Sequence, residues 1–178
     1  YLIARADGDA LVAETSETNN TRAASIAVGA DLVVSALTVP TVAGSGLNVT
    51  VSDTTKNQGA GDAPTSTTAF YLSTNAAFDA ADTFLASRPV PALAPGALST
   101  ASTSLTIPSG TSPGNYYIVA RAEADSAFLE TNEGNNTRIA LVVVGPDLTV
   151  TAFTVPTTAA PGGLVSVTDT TKNQGGGT

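Results

Sequence analysis

Hydrophobic and polar residues alternate along short stretches of the chain, as they do in half-buried β-strands. One example is the run Val49, Thr50, Val51 and Ser52. Because successive side chains of a strand point to opposite faces, the run predicts valines facing a core and hydroxyls facing solvent. Similar stretches predict seven strands in the middle of the chain. These strands span residues 31–39, 47–57, 67–74, 83–90, 99–107, 115–124 and 137–144.

Clusters of glycine, proline and asparagine separate the predicted strands, and these residues are typical of turns. One such break runs from Pro40 to Gly46. No segment combines a sustained helical period with capping signals. Short strands at this spacing, with about 100 residues to a unit, predict an all-β fold, an antiparallel β-sandwich of about seven strands.

The chain also contains an internal repeat with an offset of 116 residues. Residues 1–62 align without a gap with residues 117–178, and about 35 of the 62 pairs are identical. The heptapeptide Asp-Thr-Thr-Lys-Asn-Gln-Gly, for example, begins at Asp53 and again at Asp169. A repeat of this length indicates an array of similar units.

The repeat predicts three parts of such an array. Residues 1–29 are expected to be the C-terminal part of one repeat, residues 30–145 one complete repeat, and residues 146–178 the N-terminal part of a following repeat. The joints, Gly29-Ala30 and Gly145-Pro146, are only two residues long. They should limit bending between neighbours more than a flexible linker would.

The two faces of the last predicted strand differ in how far their residue types are the same in the two copies of the repeat. Ile26 and Val28 correspond to Val142 and Val144, so we expect this parity to face the core. The other parity changes from Ala23, Ser25 and Ala27 to Ile139, Leu141 and Val143. One face therefore changes from small to apolar, which indicates a contact that differs along the array.

Composition and charge exclude several kinds of site. The 178 residues carry a formal net charge of −8 and include neither Cys nor His. Disulfides, zinc fingers, thiol nucleophiles and Ser-His-Asp triads are therefore excluded, and hard, oxygen-ligated ions such as calcium are the metals to consider. The negative charge disfavours nucleic acid as a partner. No apolar run approaches the roughly 18–20 residues of a membrane span.

Six segments resemble the bacterial cell-adhesion-related domain, CARDB, when read in circular phase. They are PDLTVTAFTVP, VTDTTKNQGGG, FYLSTNAAFDAADTFL, VPALAPGALST, GNYYIVARAEAD and LETNEGNNT. The most specific pieces are the KNQG turn, the YLST strand and the acidic stretch that ends in Asn-Asn. The resemblance implies an immunoglobulin-like module that occurs in tandem on prokaryotic surface and secreted proteins. It implies an extracellular, structural or adhesive role without catalysis, and it names no ligand.

An acidic, amide-rich stretch before the last strand carries the side chains best suited to bind a metal. They are Asp125, Glu130, Glu133, Asn135 and Asn136, which match Asp9, Glu14, Glu17, Asn19 and Asn20. Asp79 and Asp82 form a second acidic patch. Calcium prefers carboxylate and amide oxygens, whereas the same side chains also hold turns by bonding to nearby backbone. The spacing is not that of an EF-hand, so both interpretations stay open.

The only two lysines, Lys56 and Lys172, occupy the same place in the repeat. One interpretation is an isopeptide crosslink to asparagine, which some surface immunoglobulin-like domains contain. The other is an outward charge that discourages aggregation between strands, since Lys56 shares the parity of Thr50 and Ser52. The outward parity favours the second interpretation.

Two features are relevant to surface glycans. Glycosylation triplets begin at Asn19, Asn48 and Asn135, although chance matches are common in a chain so rich in Asn and Thr. Tyr71, Tyr116 and Tyr117 suit core or corner positions better than a platform for stacking sugars.

The sequence predicts a protein that is not an enzyme, since its paired acids lack a nucleophile, base and orienting group. The leading hypothesis is a structural repeat of a long extracellular or cell-surface prokaryotic protein. Its immunoglobulin-like beads would form a filament or stalk, with adjacent repeats or copies of itself as partners. The alternative is an adhesin repeat that binds a host, a polysaccharide or another surface ligand through its loops. Calcium is the only cofactor that the sequence suggests.

Overall fold

The computed structural model describes residues 1–177, which form twelve β-strands and no helix. The strands are β1 (Leu2–Arg5), β2 (Thr21–Ala24), β3 (Leu32–Thr38), β4 (Val42–Ala43), β5 (Asn48–Asn57), β6 (Ser66–Ser73), β7 (Thr83–Val90), β8 (Leu98–Thr106), β9 (Gly114–Arg121), β10 (Thr137–Val144), β11 (Leu148–Thr154) and β12 (Thr168–Asn173). All seven predicted strands are present, with ends within three residues of their predicted positions.

Strands β3 to β10 form a sandwich of two sheets. One sheet has the order β3-β5-β8, and the other has the order β4-β10-β9-β6-β7. All pairings are antiparallel except β4 with β10, which is parallel. The largest fully buried apolar side chains between the sheets are Phe70, Leu32, Leu105, Ile107 and Ile118. The predicted all-β, immunoglobulin-like sandwich is therefore confirmed.

The predicted faces of β5 and β10 are correct in the complete sandwich. Val49 and Val51 are buried, whereas Thr50 is exposed. On β10, Val142 and Val144 are buried, while the intervening Leu141 and Val143 are 51% and 39% exposed. The apolar face that differs between the repeats is thus an outer face of the five-stranded sheet.

Strand β4 is the element that the sequence did not predict. Its two residues, Val42 and Ala43, lie within the predicted break from Pro40 to Gly46 and pair with Val143 and Val144. A two-residue strand is too short to show an alternating pattern. Through β4, the chain crosses from the three-stranded sheet to the edge of the five-stranded sheet.

Two further hairpins reproduce local pairings of the complete sandwich. Strand β1 pairs with β2 in the register of β9 with β10, and β11 pairs with β12 in the register of β3 with β5. The bulge between Val34 and Ala36 recurs between Val150 and Ala152. Every residue of β1, β2 and β12 is exposed. The division into residues 1–29, 30–145 and 146–178 stays a prediction.

A buried ion pair joins the two sheets where β7 lies beside β8. The Arg88 guanidinium donates from Nε to Asp53 Oδ1 at 2.7 Å and from Nη2 to Asp53 Oδ2 at 2.6 Å. It also donates to the Ser99 carbonyl and hydroxyl at 2.9 and 3.1 Å. Nearby, the hydroxyls of Thr55 and Thr68 are 2.7 Å apart and also link the sheets. The Arg88–Asp53 pair is the one salt bridge among residues 1–177.

Removing one member of this pair should destabilise the sandwich strongly. In Arg88→Met, the Asp53 carboxylate would stay buried without its cation, so we expect a loss of about 3–5 kcal/mol in the free energy of unfolding. Urea denaturation would measure the loss. Arg138→Met is the matched control, because Arg138 is exposed and donates to the Ser35 carbonyl, and it should cost less than about 1 kcal/mol. Equal losses in the two variants would show that the ion pair contributes no more to the free energy of unfolding than an exposed hydrogen bond does.

No helix suited to crossing a bilayer occurs in the part of the chain that the structure describes.

Candidate functional site

The loop that joins β9 to β10, residues 122–136, carries most of the predicted metal ligands. The loop closes where the Ala122 N–H donates to the Asn136 carbonyl at 2.9 Å. It also lies against the start of β3, because the Thr131 N–H donates to the Ala30 carbonyl at 2.9 Å. Acidic side chains of the loop therefore lie over the beginning of the complete sandwich.

Glu123 is the most deeply placed acid of this loop. Its side chain is fully buried, and its backbone has the left-handed value φ 50°. Oε1 accepts the Phe128 N–H at 3.1 Å, whereas Oε2 is buried without a hydrogen-bond partner. A left-handed conformation is uncommon for a residue other than glycine, and it turns this carboxylate into the loop.

Glu130 connects the loop to the first strand of the sandwich. Its Oε1 accepts the Leu32 N–H and its Oε2 accepts Asn136 Nδ2, both at 2.5 Å. Glu133 is exposed and holds the same turn, since its Oε1 accepts the Glu130 N–H at 2.8 Å. Carboxylate oxygens of Glu123, Glu130 and Glu133 lie within 4.8 Å of one another.

Burial raises the pKa of Glu123 and of Glu130, because removal from water disfavours the charged carboxylate. Hydrogen bonds from Phe128 and Leu32 N–H groups oppose this rise. The charge of Glu133 adds to the rise in both pKa values. The cluster therefore holds negative charge at a cost, which a bound cation or a proton would reduce.

Two amide side chains at the end of this loop have oxygens without a hydrogen-bond partner, and only Asn136 bonds to the cluster. Asn136 is 3% exposed, and its Oδ1 has no hydrogen-bond partner. Asn135 donates from Nδ2 to Asp31 Oδ1 at 3.0 Å, and its Oδ1 also has no partner. Most buried polar atoms in proteins are paired, whereas these two oxygens stay free to accept a hydrogen bond or to coordinate a cation.

The structure thus brings together Glu130, Glu133, Asn135 and Asn136 of the predicted set. Asp125 is exposed and lies outside the three-glutamate cluster. Glu123 was not predicted, although a signal for it exists. The matching residue of the other copy is Asp7, also a carboxylate and also left-handed, with φ 43°.

The loop of residues 6–20 repeats this turn in the first hairpin. Its Glu14 N–H donates to Glu17 Oε1 at 3.0 Å, as Glu130 donates to Glu133. Both oxygens of the shorter Asp7 side chain accept backbone N–H groups, from Leu11 at 2.9 Å and from Val12 at 3.1 Å. Unlike Glu123, Asp7 therefore keeps no unpartnered oxygen.

The second acidic patch, on the loop from β6 to β7, uses its carboxylates to hold a turn. Asp79 accepts Asn75 Nδ2 at 3.0 Å and the Ala81 N–H at 2.8 Å. Asp82 Oδ2 accepts the Asp79 N–H at 3.0 Å. Hydrogen bonds from Asn75 and Ala81 lower the pKa of Asp79. Of the two interpretations that the sequence left open for Asp79 and Asp82, these contacts favour the one in which the side chains stabilise a turn.

Lys56, considered above for a crosslink, and two of the tyrosines considered for sugar stacking lie on strands of the sandwich. Lys56 lies on the outward-facing parity of β5, as predicted, and is half-buried. Tyr71 packs against Phe78 and Phe84, with ring centroids 4.9 and 5.7 Å away. Tyr116 packs against the core.

Asn57, in the KNQG turn, fixes the start of the sandwich through four hydrogen bonds. Its Oδ1 accepts the N–H groups of Asp31 at 3.2 Å and Gly59 at 3.0 Å. Its Nδ2 donates to the carbonyls of Gly61 at 2.8 Å and Leu93 at 2.9 Å. The side chain is fully buried and every hydrogen-bonding position is used. The KNQG motif therefore has a structural role, because Asn57 joins the start of β3 to the segments around Gly61 and Leu93.

We expect Asn57→Ala to destabilise the sandwich by about 3 kcal/mol, because it leaves the buried Asp31 N–H and Leu93 carbonyl without partners. Asn173→Ala is the matched control. Asn173 occupies the same turn in the repeat and makes the equivalent bonds to Asp147, Gly175 and Gly177, but it is exposed. Water can replace the lost bonds there, so less than about 1 kcal/mol should be lost. Chemical denaturation measures both values. Similar losses in the two variants would contradict a structural role for the buried hydrogen bonds of Asn57.

Comparison with known proteins identifies the family. The CARDB family model matches residues 29–140, so the chain belongs to the CARDB family. CARDB domains are extracellular, non-catalytic binding or structural domains. No curated protein matches the chain.

Several solved structures resemble the sandwich. The crystal structure of a CARDB domain from Pyrococcus furiosus, in complex with di-metal ions, is 23% identical with a TM-score of 0.50, covering 65% of this chain and 89% of that one. A domain of a protein assigned to the cell surface of Methanosarcina acetivorans is 22% identical with a TM-score of 0.47, covering 65% and 91%. A β-glucosidase from Listeria innocua is 19% identical with a TM-score of 0.44, covering 66% of this chain and 16% of the enzyme. At these identities, the likeness to the Pyrococcus domain supports the fold alone.

Proposed function

We propose that this chain is a non-enzymatic structural part of a cell-surface protein, in which consecutive CARDB repeats stack end to end as a stalk or filament. Membership of an extracellular, non-catalytic family supports the surface role. The absence of Cys and His from the sequence supports the lack of catalysis, because the common nucleophile and base pairs need them. The contact at the joint between repeats supports stacking.

That contact is the observation on which the proposal rests. At the joint, the Gly145 N–H donates to the Ala43 carbonyl at 3.0 Å, and the Gly176 N–H donates to the Gly145 carbonyl at 2.8 Å. A Cβ added at Gly176 would lie 2.1 Å from the carbonyl carbon of Ala43. The glycine turn after β12 therefore packs backbone against backbone on the end of β4.

The start of the complete sandwich contains half of the same joint. There the Gly29 carbonyl accepts the N–H groups of Ala60 and Gly61, both at 2.9 Å. Gly29 and Gly145 have similar left-handed φ values of 120° and 114°. Both joints thus use the same turn, which supports a regular angle between successive repeats and a stiff rod.

A valine at position 176 should open this joint without unfolding the sandwich. Because its Cβ cannot share space with the Ala43 carbonyl, we expect Gly176→Val to detach the β11–β12 hairpin and broaden the distribution of particle lengths in small-angle X-ray scattering. Gly8→Ala is the control, since a Cβ at Gly8 meets no atom within 4 Å. Unchanged circular dichroism would show that both variants fold. Superimposable scattering from wild type and Gly176→Val would contradict a joint built on this contact.

Electron microscopy of native material tests the assembly itself. For a filament of stacked repeats we expect an axial period near one sandwich, about 40 Å. Thin rods that end in a distinct head would contradict the filament and indicate a stalk. In a stalk, adhesive binding would belong to the head. Separate particles without any rod would contradict both forms of stacking.

A further inference from the structure

The three-glutamate cluster, Glu123, Glu130 and Glu133, has no basic side chain to neutralise it. The one salt bridge within residues 1–177 joins Arg88 to Asp53, in a different part of the sandwich. Three carboxylate oxygens nevertheless lie within 4.8 Å of one another, and two of the three side chains are largely removed from water. Like charges at this distance repel strongly unless a cation or protons intervene.

Two buried oxygens at the cluster lack partners. Glu123 Oε2 belongs to a fully buried side chain, and Asn136 Oδ1 belongs to a side chain that is 3% exposed. Asn136 is placed beside the cluster by the 2.5 Å bond from its Nδ2 to Glu130. An unpaired buried oxygen costs free energy, and an unpaired buried carboxylate costs more. A cation that accepts electron pairs from both oxygens would satisfy them and neutralise the carboxylate charge.

We propose that Glu123, Glu130 and Glu133, together with the amide oxygen of Asn136, bind one calcium ion. The donors are all hard oxygens, which suit calcium rather than a soft metal. Four protein donors leave room for water in a coordination shell of 6–8 oxygens. Exposed Glu133 gives the ion a path from solvent, while buried Glu123 closes the inner side.

The ion would fasten the β9–β10 loop to the first strand of the sandwich. Glu130 already accepts the Leu32 N–H, and the adjacent Thr131 N–H donates to Ala30. A cation shared by Glu130 and Glu123 would tie these contacts to the buried end of the loop. The site lies within one sandwich, so its test does not depend on whether repeats stack.

The equivalent loop of the first hairpin should bind no calcium. Asp7 stands in the place of Glu123, but both of its oxygens accept backbone N–H groups, so the hairpin lacks the buried, unpartnered carboxylate oxygen that Glu123 supplies. Within residues 1–177 the three glutamates form the one acidic group with metal-binding geometry. The expected stoichiometry is therefore one calcium ion per chain.

Isothermal titration calorimetry and thermal unfolding of the chelator-treated chain test the proposal, with calcium chloride as the probe. We expect one site, and a rise of about 10 °C in Tm when free calcium is a hundredfold above Kd. Glu123→Gln and Glu133→Gln should each weaken calcium binding by more than about tenfold. Since Glu133 is exposed, Glu133→Gln keeps the test valid if Glu123→Gln fails to fold.

Asp79→Asn is the control, because it removes the same charge from an exposed position on the β6–β7 loop. It should leave calcium binding unchanged. Absence of calcium binding to wild type would overturn the proposal, as would equal weakening in Asp79→Asn and Glu133→Gln. Equal affinity for magnesium would overturn the assignment to calcium. A site that is lost in Glu17→Gln but kept in Glu133→Gln would place binding in the first hairpin and also overturn it.

Discussion

The inward face of β5 holds the two sheets together, and its chemistry changes halfway along the strand. Its first inward residues, Val49 and Val51, enter an apolar core. The next three, Asp53, Thr55 and Asn57, are equally buried but polar, and each bonds to a residue outside the three-stranded sheet. A core with few large side chains is therefore completed by directional bonds, which specify one alignment of the sheets.

The alternating pattern predicted the sandwich well because most strands have one face in water. It also predicted the faces of β5 and β10 correctly. The pattern failed to predict the polar half of the core, because periodicity cannot distinguish a buried aspartate from an exposed one. Asp53 becomes a core residue only through Arg88, which lies 35 residues further along the chain. Strand β4 was not predicted because a strand of two residues is too short to show an alternating pattern.

The candidate site shows a similar division. Residue types alone predicted a metal-binding loop with Asp125, Glu130, Glu133, Asn135 and Asn136. The last four lie within seven consecutive positions, whereas Asp125 is exposed and lies outside the three-glutamate cluster. The sequence did not predict Glu123, because its burial and left-handed backbone depend on the packing of Phe128 and on the bond from Ala124 to Thr67. The acids of the β6–β7 loop looked equally suited to a metal. What distinguishes the three-glutamate cluster from them is the burial of Glu123 and its unpartnered Oε2.

In the proposed stack, the joint after β10 consists of backbone atoms and glycines, so the angle between successive repeats would depend little on side chains elsewhere. The outer face of the last strand can then vary freely. Its residues change from Ala23, Ser25 and Ala27 to Ile139, Leu141 and Val143, while the hairpin register is kept. A stack built in this way would acquire new surface chemistry in one repeat by mutation and still keep the geometry of its joints. Drift in surface residues would diversify what the array displays without disturbing how it is built.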